Sequence, residues 1–178
     1  MALKYKTFGP FDIERDSGRL AESALENFWA ARGRDSQSGL DGAIGVYVIV
    51  VQAKKNSSAK PWYVGRTDRQ SFKKRLTQQQ LHFRQVLEKA KRGKLQIYLL
   101  ALQTPGKSAF RKPTKTKISS NDWLESLLIG SCLNCNKHLV NASKVRHLKT
   151  LVVPGFLNNK KGKLDYAAAS LKRTLQAD

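Results

Sequence analysis

Residues Ile44 to Val51 read IGVYVIVV, an almost unbroken run of β-branched and aromatic residues. Such a run predicts a central strand covered on both faces. A polar, basic stretch follows at 52–61 (QAKKNSSAKP), and then comes the second β-type segment, Pro61–Gly65, which contains Tyr63-Val64-Gly65. Two β-type runs joined by a short polar loop predict an antiparallel hairpin. A turn centred near Lys55 sets Tyr47 opposite Tyr63, and opposite residues share a face. Two phenols then point into one space, with Arg66, Arg69 and Arg75 close behind them in the chain. A paired phenol site flanked by arginines suits a phosphate substrate.

The rest of the chain predicts one α/β unit around that hairpin. Arg19–Arg32 reads as a helix, with Leu20, Ala24, Leu25, Phe28 and Trp29 as its apolar stripe. Residues 33–42 form a polar linker. Gln70–Arg92 reads as one helix, with Phe72, Leu76, Phe83, Leu87 and Ala90 at helical spacing, closed by Gly93. Leu95–Leu102 is the third strand. Gln103–Lys117, with two prolines and a glycine, reads as a mobile basic loop remote from the tyrosines. Ser119 and Asp122 fit a capping box at the start of a helix that runs to about Asn134. Leu124, Leu127, Leu128 and Ser131 are the expected core face of that helix. A short helix at Ser143–Leu151 and a last one at Lys163–Leu175 complete the expectation. The fold class is therefore α+β: a small three-stranded antiparallel sheet packed by helices. The division is 1–43 as an N-terminal helical extension, 44–150 as the core, and 151–178 as a C-terminal extension within the same unit.

Charge narrows the choice of partner. The 178-residue chain has a net charge of +20, and length alone allows one domain with an ordinary core. Residues 54–117 hold 18 Lys/Arg against only Asp68 and Glu88. A field of that sign and size attracts polyanions. No helix pairs a basic face with a bulky aromatic one, so a membrane surface is a poor fit. No stretch has the length of a transmembrane helix, and the opening MALKYKTFGPFDIERD lacks an apolar h-region. The two cysteines, Cys132 and Cys135, are not a disulfide framework, so a reduced intracellular (cytoplasmic) setting is the expectation. With His138 and His147 they give a C-x₂-C-x₂-H-x₈-H spacing that matches no common zinc finger, and one cysteine packing in the core beside Leu128 is the simpler reading.

Gly45-Val46-Tyr47 and Tyr63-Val64-Gly65 resemble the signature of the GIY-YIG nucleases, with valine for isoleucine in both triplets. The pattern continues with an arginine on the next helix (Arg75), a glutamate on a later helix (Glu125) and an asparagine just past it. Asn141 fits that last position best, with Asn134 and Asn136 as rivals. The resemblance covers roughly Ile44 to Lys144. It implies a metal-dependent DNA endonuclease of restriction, mobile-element or repair type. Water would attack a phosphodiester in line, leaving 5′-phosphate and 3′-hydroxyl ends. One of the tyrosines would take the proton, Tyr47 as the base and Tyr63 orienting water or phosphate, or the reverse. Arg75 would hold phosphate and stabilise developing charge. Glu125 would hold Mg²⁺ (or Mn²⁺), the alternative being that it pairs with an arginine. Asn141 would orient phosphate or the tyrosine network.

Gly45 and Gly65 have backbone roles, Gly65 by letting Arg66 and the helix start approach a phosphate. Arg66, Arg69, Lys73 and Lys74 read as contacts to the nucleic-acid backbone. His82, seven residues after Arg75, shares its helix face, and Arg111, Lys112, Lys115 and Lys117 add the loop's charge. Nothing resembles a separate DNA-reading domain, so specificity would come from the extensions, the loop or a partner chain. A homodimer would serve double-strand cleavage. The competing expectation is a basic DNA- or RNA-binding protein without turnover.

The charge distribution makes one prediction independent of any resemblance. Log affinity for duplex DNA should fall linearly with log salt, with a slope of about −0.9 per phosphate contact. Gel retardation across a salt series measures it, and a salt-independent affinity would remove the polyanion reading.

Overall fold

The IGVYVIVV run does become the centre of a sheet, but the sheet has four strands rather than three. The structure, a computed structural model, describes residues 2–32, 39–141, 144, 145, 150 and 165–176. In chain order its elements are β1 (Tyr5–Asp12), β2 (Arg15–Asp16), β3 (Arg19–Leu20), α1 (Ala24–Arg32), β4 (Gly45–Gln52), β5 (Lys60–Thr67), α2 (Phe72–Gln78), α3 (Leu81–Lys89), β6 (Lys94–Leu102), α4 (Ser119–Cys135) and α5 (Tyr166–Gln176). The main sheet runs β1-β6-β4-β5, antiparallel throughout.

The additional strand comes from the N-terminal segment, which is therefore not purely helical. Phe8 and Phe11 of β1 are buried, and the register slips between them at Gly9-Pro10. Proline cannot donate to a ladder and is confined to edges and bulges, which is where this one lies. The expected helix at Arg19–Arg32 is shorter. Its first residues instead pair with Arg15–Asp16 across a turn at Ser17-Gly18.

The expected helix over Gln70–Arg92 is two helices broken at Gln79–Gln80. A continuous helix would need apolar residues there to join Phe72 and Leu76 to Phe83 and Leu87. Glutamines at those places leave nothing to bury, and the chain turns. The helix expected at Ser143–Leu151 lies outside the described residues apart from Lys144, Val145 and Thr150, as do the first residues of the one expected at Lys163–Leu175.

Alternation along β4 decides what each face carries. Tyr47, Ile49 and Val51 enter a core with Leu25, Phe28 and Trp29 of α1, Phe72 and Leu76 of α2, and Phe83 and Val86 of α3. Val46, Val48 and Val50 face the other way, onto Ile129, Cys132 and Leu133 of α4. The buried face of α4 is thus rotated from the expected one: Leu127 is exposed, as is Trp123. Cys132 is buried in the cluster that Leu128 packs against, as expected, and burial pushes its thiol up to about 12, so it carries no thiolate at neutral pH. No described helix is long and apolar enough to cross a membrane.

Two connections differ from expectation for reasons of hydrogen bonding. The segment Gln103–Lys117 is tied down: Gln103 bridges Phe110, Arg111 donates to Leu102 O and accepts from Ile44 N, and Thr114 N donates to Asp68 O. The other is the stretch after α4, which covers the free edge of β5, a position that would otherwise expose unpaired backbone. There Asn136 Nδ2 donates to Pro61 O (2.8 Å) and Val140 N to Trp62 O (2.8 Å). Asn141 adds two more, accepting from Val64 N (3.0 Å) and donating to Val64 O (2.6 Å).

Gly65 is needed for a reason other than phosphate approach. A Cβ at Gly65 would lie 2.5 Å from Tyr47 Oη and 2.8 Å from Tyr63 Cε1. At Gly45 a Cβ would run into the backbone of Leu100. The expected consequence for Gly65→Ala is overpacking, a loss of about 1–3 kcal/mol and a fall in Tm of roughly 2–4 °C per kcal/mol. Calorimetry measures it. An unchanged Tm would show that the phenol does not lie across β5.

Candidate active site

A cleft of about 590 Å³ opens at the C-terminal end of β5, where the two faces of the sheet meet. Tyr63, on the face shared with α2 and α3, supplies one wall together with Arg75 and His82. Arg66, on the opposite face, supplies the other together with Glu125 of α4 and Lys144. Asp68, Arg69 and Lys117 complete the rim. Successive side chains of a strand point to opposite faces, so one strand end can bring both sets of groups to one place.

Tyr47 and Tyr63 do share a face, but they are diagonal rather than opposite. Tyr47 pairs with Gly65 and Tyr63 with Ile49. Their ring centroids lie 6.0 Å apart. Tyr63 meets the cleft, whereas Tyr47 is 1% exposed and lies behind it. Burial raises the pKa of Tyr47, opposed by the charge of Arg75 and by hydrogen bonds from Arg75 and Tyr63. Burial also raises that of Tyr63, and Tyr47 and Glu125 push it the same way. Both phenols are therefore neutral at pH 7. Because both donors favour its ionised form, Tyr47 has the environment more tolerant of a phenolate.

His82 stacks on Tyr63, with centroids 4.2 Å apart and planes inclined by 16°. Burial lowers its pKa, with the charge of Arg75 acting in the same sense. Arg75 Nε and His82 Nδ1 are both buried without a hydrogen-bond partner among the described residues. Buried polar atoms are usually satisfied, so an acceptor for Arg75 at this wall would remove a standing cost.

The α4 wall is a network of charge pairs. Arg66 reaches Asp68 Oδ2 at 3.1 Å, Asp122 Oδ1 at 3.1 Å and Glu125 Oε2 at 3.4 Å. Lys144 Nζ reaches Asp122 Oδ1 at 2.7 Å and Glu125 Oε2 at 2.8 Å. Asp122 therefore does not cap its helix. The N-cap position is Ile118, with no side-chain bond, and the carboxylate pairs with Arg66 and Lys144 instead. The bond from Lys144 and the nearby charge of Arg66 hold Asp122 below the usual carboxylate range. Desolvation works against charge on Lys144, and bonds to Asp122 and Glu125 outweigh it, so its pKa lies above that of free lysine. Behind this wall, Tyr5 Oη donates to Asn121 Oδ1 (2.7 Å), and Asn121 Nδ2 donates to Asp68 Oδ1 (2.7 Å). The N-terminal strand thus helps hold Asp68, and through it Arg66.

The structure brings Tyr47, Tyr63, Arg75, Glu125, Arg66, Arg69, His82 and Lys117 to this one region. Lys117 was expected to be remote from the tyrosines and instead shares the cleft with Tyr63. Asn141 is 8% exposed and both its amide groups are spent on Val64, so it positions β5 rather than a phosphate. Lys73, Lys74, Arg111, Lys112 and Lys115 do not line the cleft. Lys144, Asp68 and Asn121 were not singled out from sequence. A lysine 19 residues past Glu125 carries no local signal, and neither does an asparagine inside a helix.

Among the described residues no group of three His, Cys, Asp or Glu side chains is placed to hold a metal ion; His147 lies outside them. Two carboxylates do converge at Lys144 Nζ, together with Ser126 Oγ (2.9 Å) and the Asp122 carbonyl oxygen (3.1 Å). These are hard oxygen donors around a cation, which is the chemistry that Mg²⁺ or Mn²⁺ takes. In chemistry the donors would suit such an ion; here they hold the Lys144 ammonium.

The phenol environments predict that neither Tyr47 nor Tyr63 ionises below about pH 10, the value for a free tyrosine. Ultraviolet difference titration of wild type, Tyr47→Phe and Tyr63→Phe should give superimposable curves up to that pH. A lost transition near neutrality in either variant would overturn this account of the site. No family model matches the chain, and neither a curated protein nor a solved structure matches it.

Proposed function

We propose that the chain is a metal-dependent DNA endonuclease of GIY-YIG type, hydrolysing phosphodiester bonds in duplex DNA. One observation carries the reading: a phenol with a second one buried behind it, an arginine with an unpaired buried Nε and a carboxylate come together at one cleft. A module that only bound nucleic acid would need the basic surface alone. The triplet resemblance and the +20 charge support the same reading.

In the proposed reaction, phosphate is drawn in by Arg69, Arg75 and Lys117, none of which has an ion-pair partner among the described residues. Tyr63, the phenol at the cleft, meets the attacking water. The pair acts as base in its singly ionised form: Tyr63 gives its own proton to the Tyr47 phenolate, the form that Arg75 stabilises, and takes one from the water, so that both phenols end neutral. The same guanidinium would hold a phosphate oxygen as negative charge grows. Glu125, with Asp122 beside it, would hold Mg²⁺ or Mn²⁺, which when bound supplies charge neutralisation at the leaving oxygen. Cutting both strands takes two such clefts, hence a second copy or a partner chain. Restriction, mobile-element and repair settings all use this chemistry.

A second reading, a nucleic-acid-binding module without turnover, is favoured by the neutralisation of Glu125 by Lys144 and Arg66. Plasmid incubated with the protein and Mg²⁺, with and without EDTA, separates the two. The expected result is cleavage that EDTA abolishes. Retardation without cleavage, across Mg²⁺, Mn²⁺ and several DNAs, would establish the binder. Tyr47→Phe and Tyr63→Phe keep each ring and delete one hydroxyl, and each should slow cleavage by about 10²-fold or more. Glu125→Gln should abolish cleavage and leave DNA affinity equal or higher, because a negative charge near phosphate is gone.

A further inference from the structure

Four oxygen acceptors converge on one side-chain nitrogen at the α4 wall. Lys144 Nζ donates to Asp122 Oδ1, Glu125 Oε2, Ser126 Oγ and the Asp122 carbonyl oxygen, at 2.7 to 3.1 Å. An ammonium has three protons to donate, so this one is saturated. Its backbone has φ of 65°, in the left-handed region that residues other than glycine enter infrequently. The chain has thus adopted an uncommon conformation at the residue whose side chain fills the carboxylate pair. The side chain is 27% exposed, so the ammonium is partly withdrawn from solvent.

The proposed reaction asks the same oxygens to hold a divalent ion. An ion held by both carboxylates would have to lie between Asp122 Oδ1 and Glu125 Oε2, the point that Lys144 Nζ already fills at 2.7 and 2.8 Å from them. We infer that Lys144 is a tethered cation occupying the divalent-ion position of the cleft, and that Glu125 takes up the ion only in exchange for the ammonium. The inference rests on the metal-dependent reading for its assignment of an ion to Glu125. It adds Asp122 as the second carboxylate of the site and Lys144 as the ion's competitor.

Exchange has a consequence for order of binding. A displaced lysine keeps its charge on a long, flexible stem. With DNA in the cleft it has a phosphate to meet; without DNA it has only water. Ion and DNA should therefore favour one another through Lys144, and linkage requires the effect to be mutual. Arg66 stays with the carboxylates throughout, since Asp68 also holds it, through Nη1 at 3.1 Å.

Mn²⁺ titration of the full chain without nucleic acid, followed by the electron paramagnetic resonance of the free ion, tests the exchange. Lys144→Met should bind Mn²⁺ about tenfold more tightly than wild type, or better, as expected for removing one competing charge at contact distance. Lys144→Arg keeps the charge and should stay near wild type. Lys117→Met removes a cleft charge that touches neither carboxylate, and should change affinity far less. Adding Glu125→Gln to Lys144→Met should remove the gain. Equal affinity in wild type and Lys144→Met, no binding in either, or an equal gain in Lys117→Met would each overturn the inference. Because the titration contains no DNA, a protein that shows the exchange and never cleaves a plasmid would reject the nuclease reading and leave the exchange standing.

Discussion

The absence of a side chain at Gly65 is the constraint on which the site depends. The ring of Tyr47 reaches from β4 across the position a Cβ would occupy on β5, and Tyr63 lies against the same spot. Pairing of β4 with β5 puts Tyr47 directly opposite Gly65. Cross-strand neighbours on one face touch, so a larger residue would force the phenol out of the core and away from Arg75. Asn141 secures the strand from its outer edge by taking both backbone groups of Val64. Glycine inside, asparagine outside: β5 is held in place between them, and its end carries Tyr63 to one face and Arg66 to the other.

Charge is arranged differently on the two sides of that strand end. On the phenol side burial dominates. Both tyrosines are kept neutral, His82 is disfavoured as a cation, and Arg75 is the charge that the apolar packing of α2 brings inward. On the α4 side pairing dominates. Three carboxylates, Asp68, Asp122 and Glu125, are matched to Arg66 and Lys144. Partly buried charges need such partners, and a chain with 33 Lys/Arg and 13 Asp/Glu has few acids to spare. Concentrating three of them at one strand end, in a chain of net charge +20, is the least expected electrostatic feature of the fold. It gives the cleft a place for a cation inside a field that attracts anions.

Several parts of the fold were legible because they rest on local pattern. The apolar run at 44–51 could only be a strand buried on both faces, and it lies between β5 and β6. Phe72, Leu76, Phe83 and Leu87 marked the helical side of the core. The errors have physical causes of equal clarity. β1 was hidden because Gly9-Pro10 interrupts its alternation and reads as a break, whereas an edge strand tolerates the interruption. The single helix at 70–92 was broken by two glutamines whose cost appears only once there is a core to face. The loop at 103–117 carries the composition of a mobile segment, but backbone bonds to Leu102, Ile44 and Asp68 hold it.

Sequence by itself determined which residues could do chemistry here: two tyrosines in β-type triplets, an arginine on the following helix and a glutamate on a later one, within a chain of +20. Spacing along the chain carries that much, because strand and helix periods are local. Tertiary structure decided what those residues meet. Tyr47 and Tyr63 became diagonal neighbours through the register of β4 and β5, so one phenol is buried and the other faces the cleft. Asn141 became a clamp on Val64, and Lys144 reached Glu125 across 19 residues of chain. No periodicity encodes such meetings. They follow from which strand edge and which helix wall pack together, and that is settled only when the whole core closes.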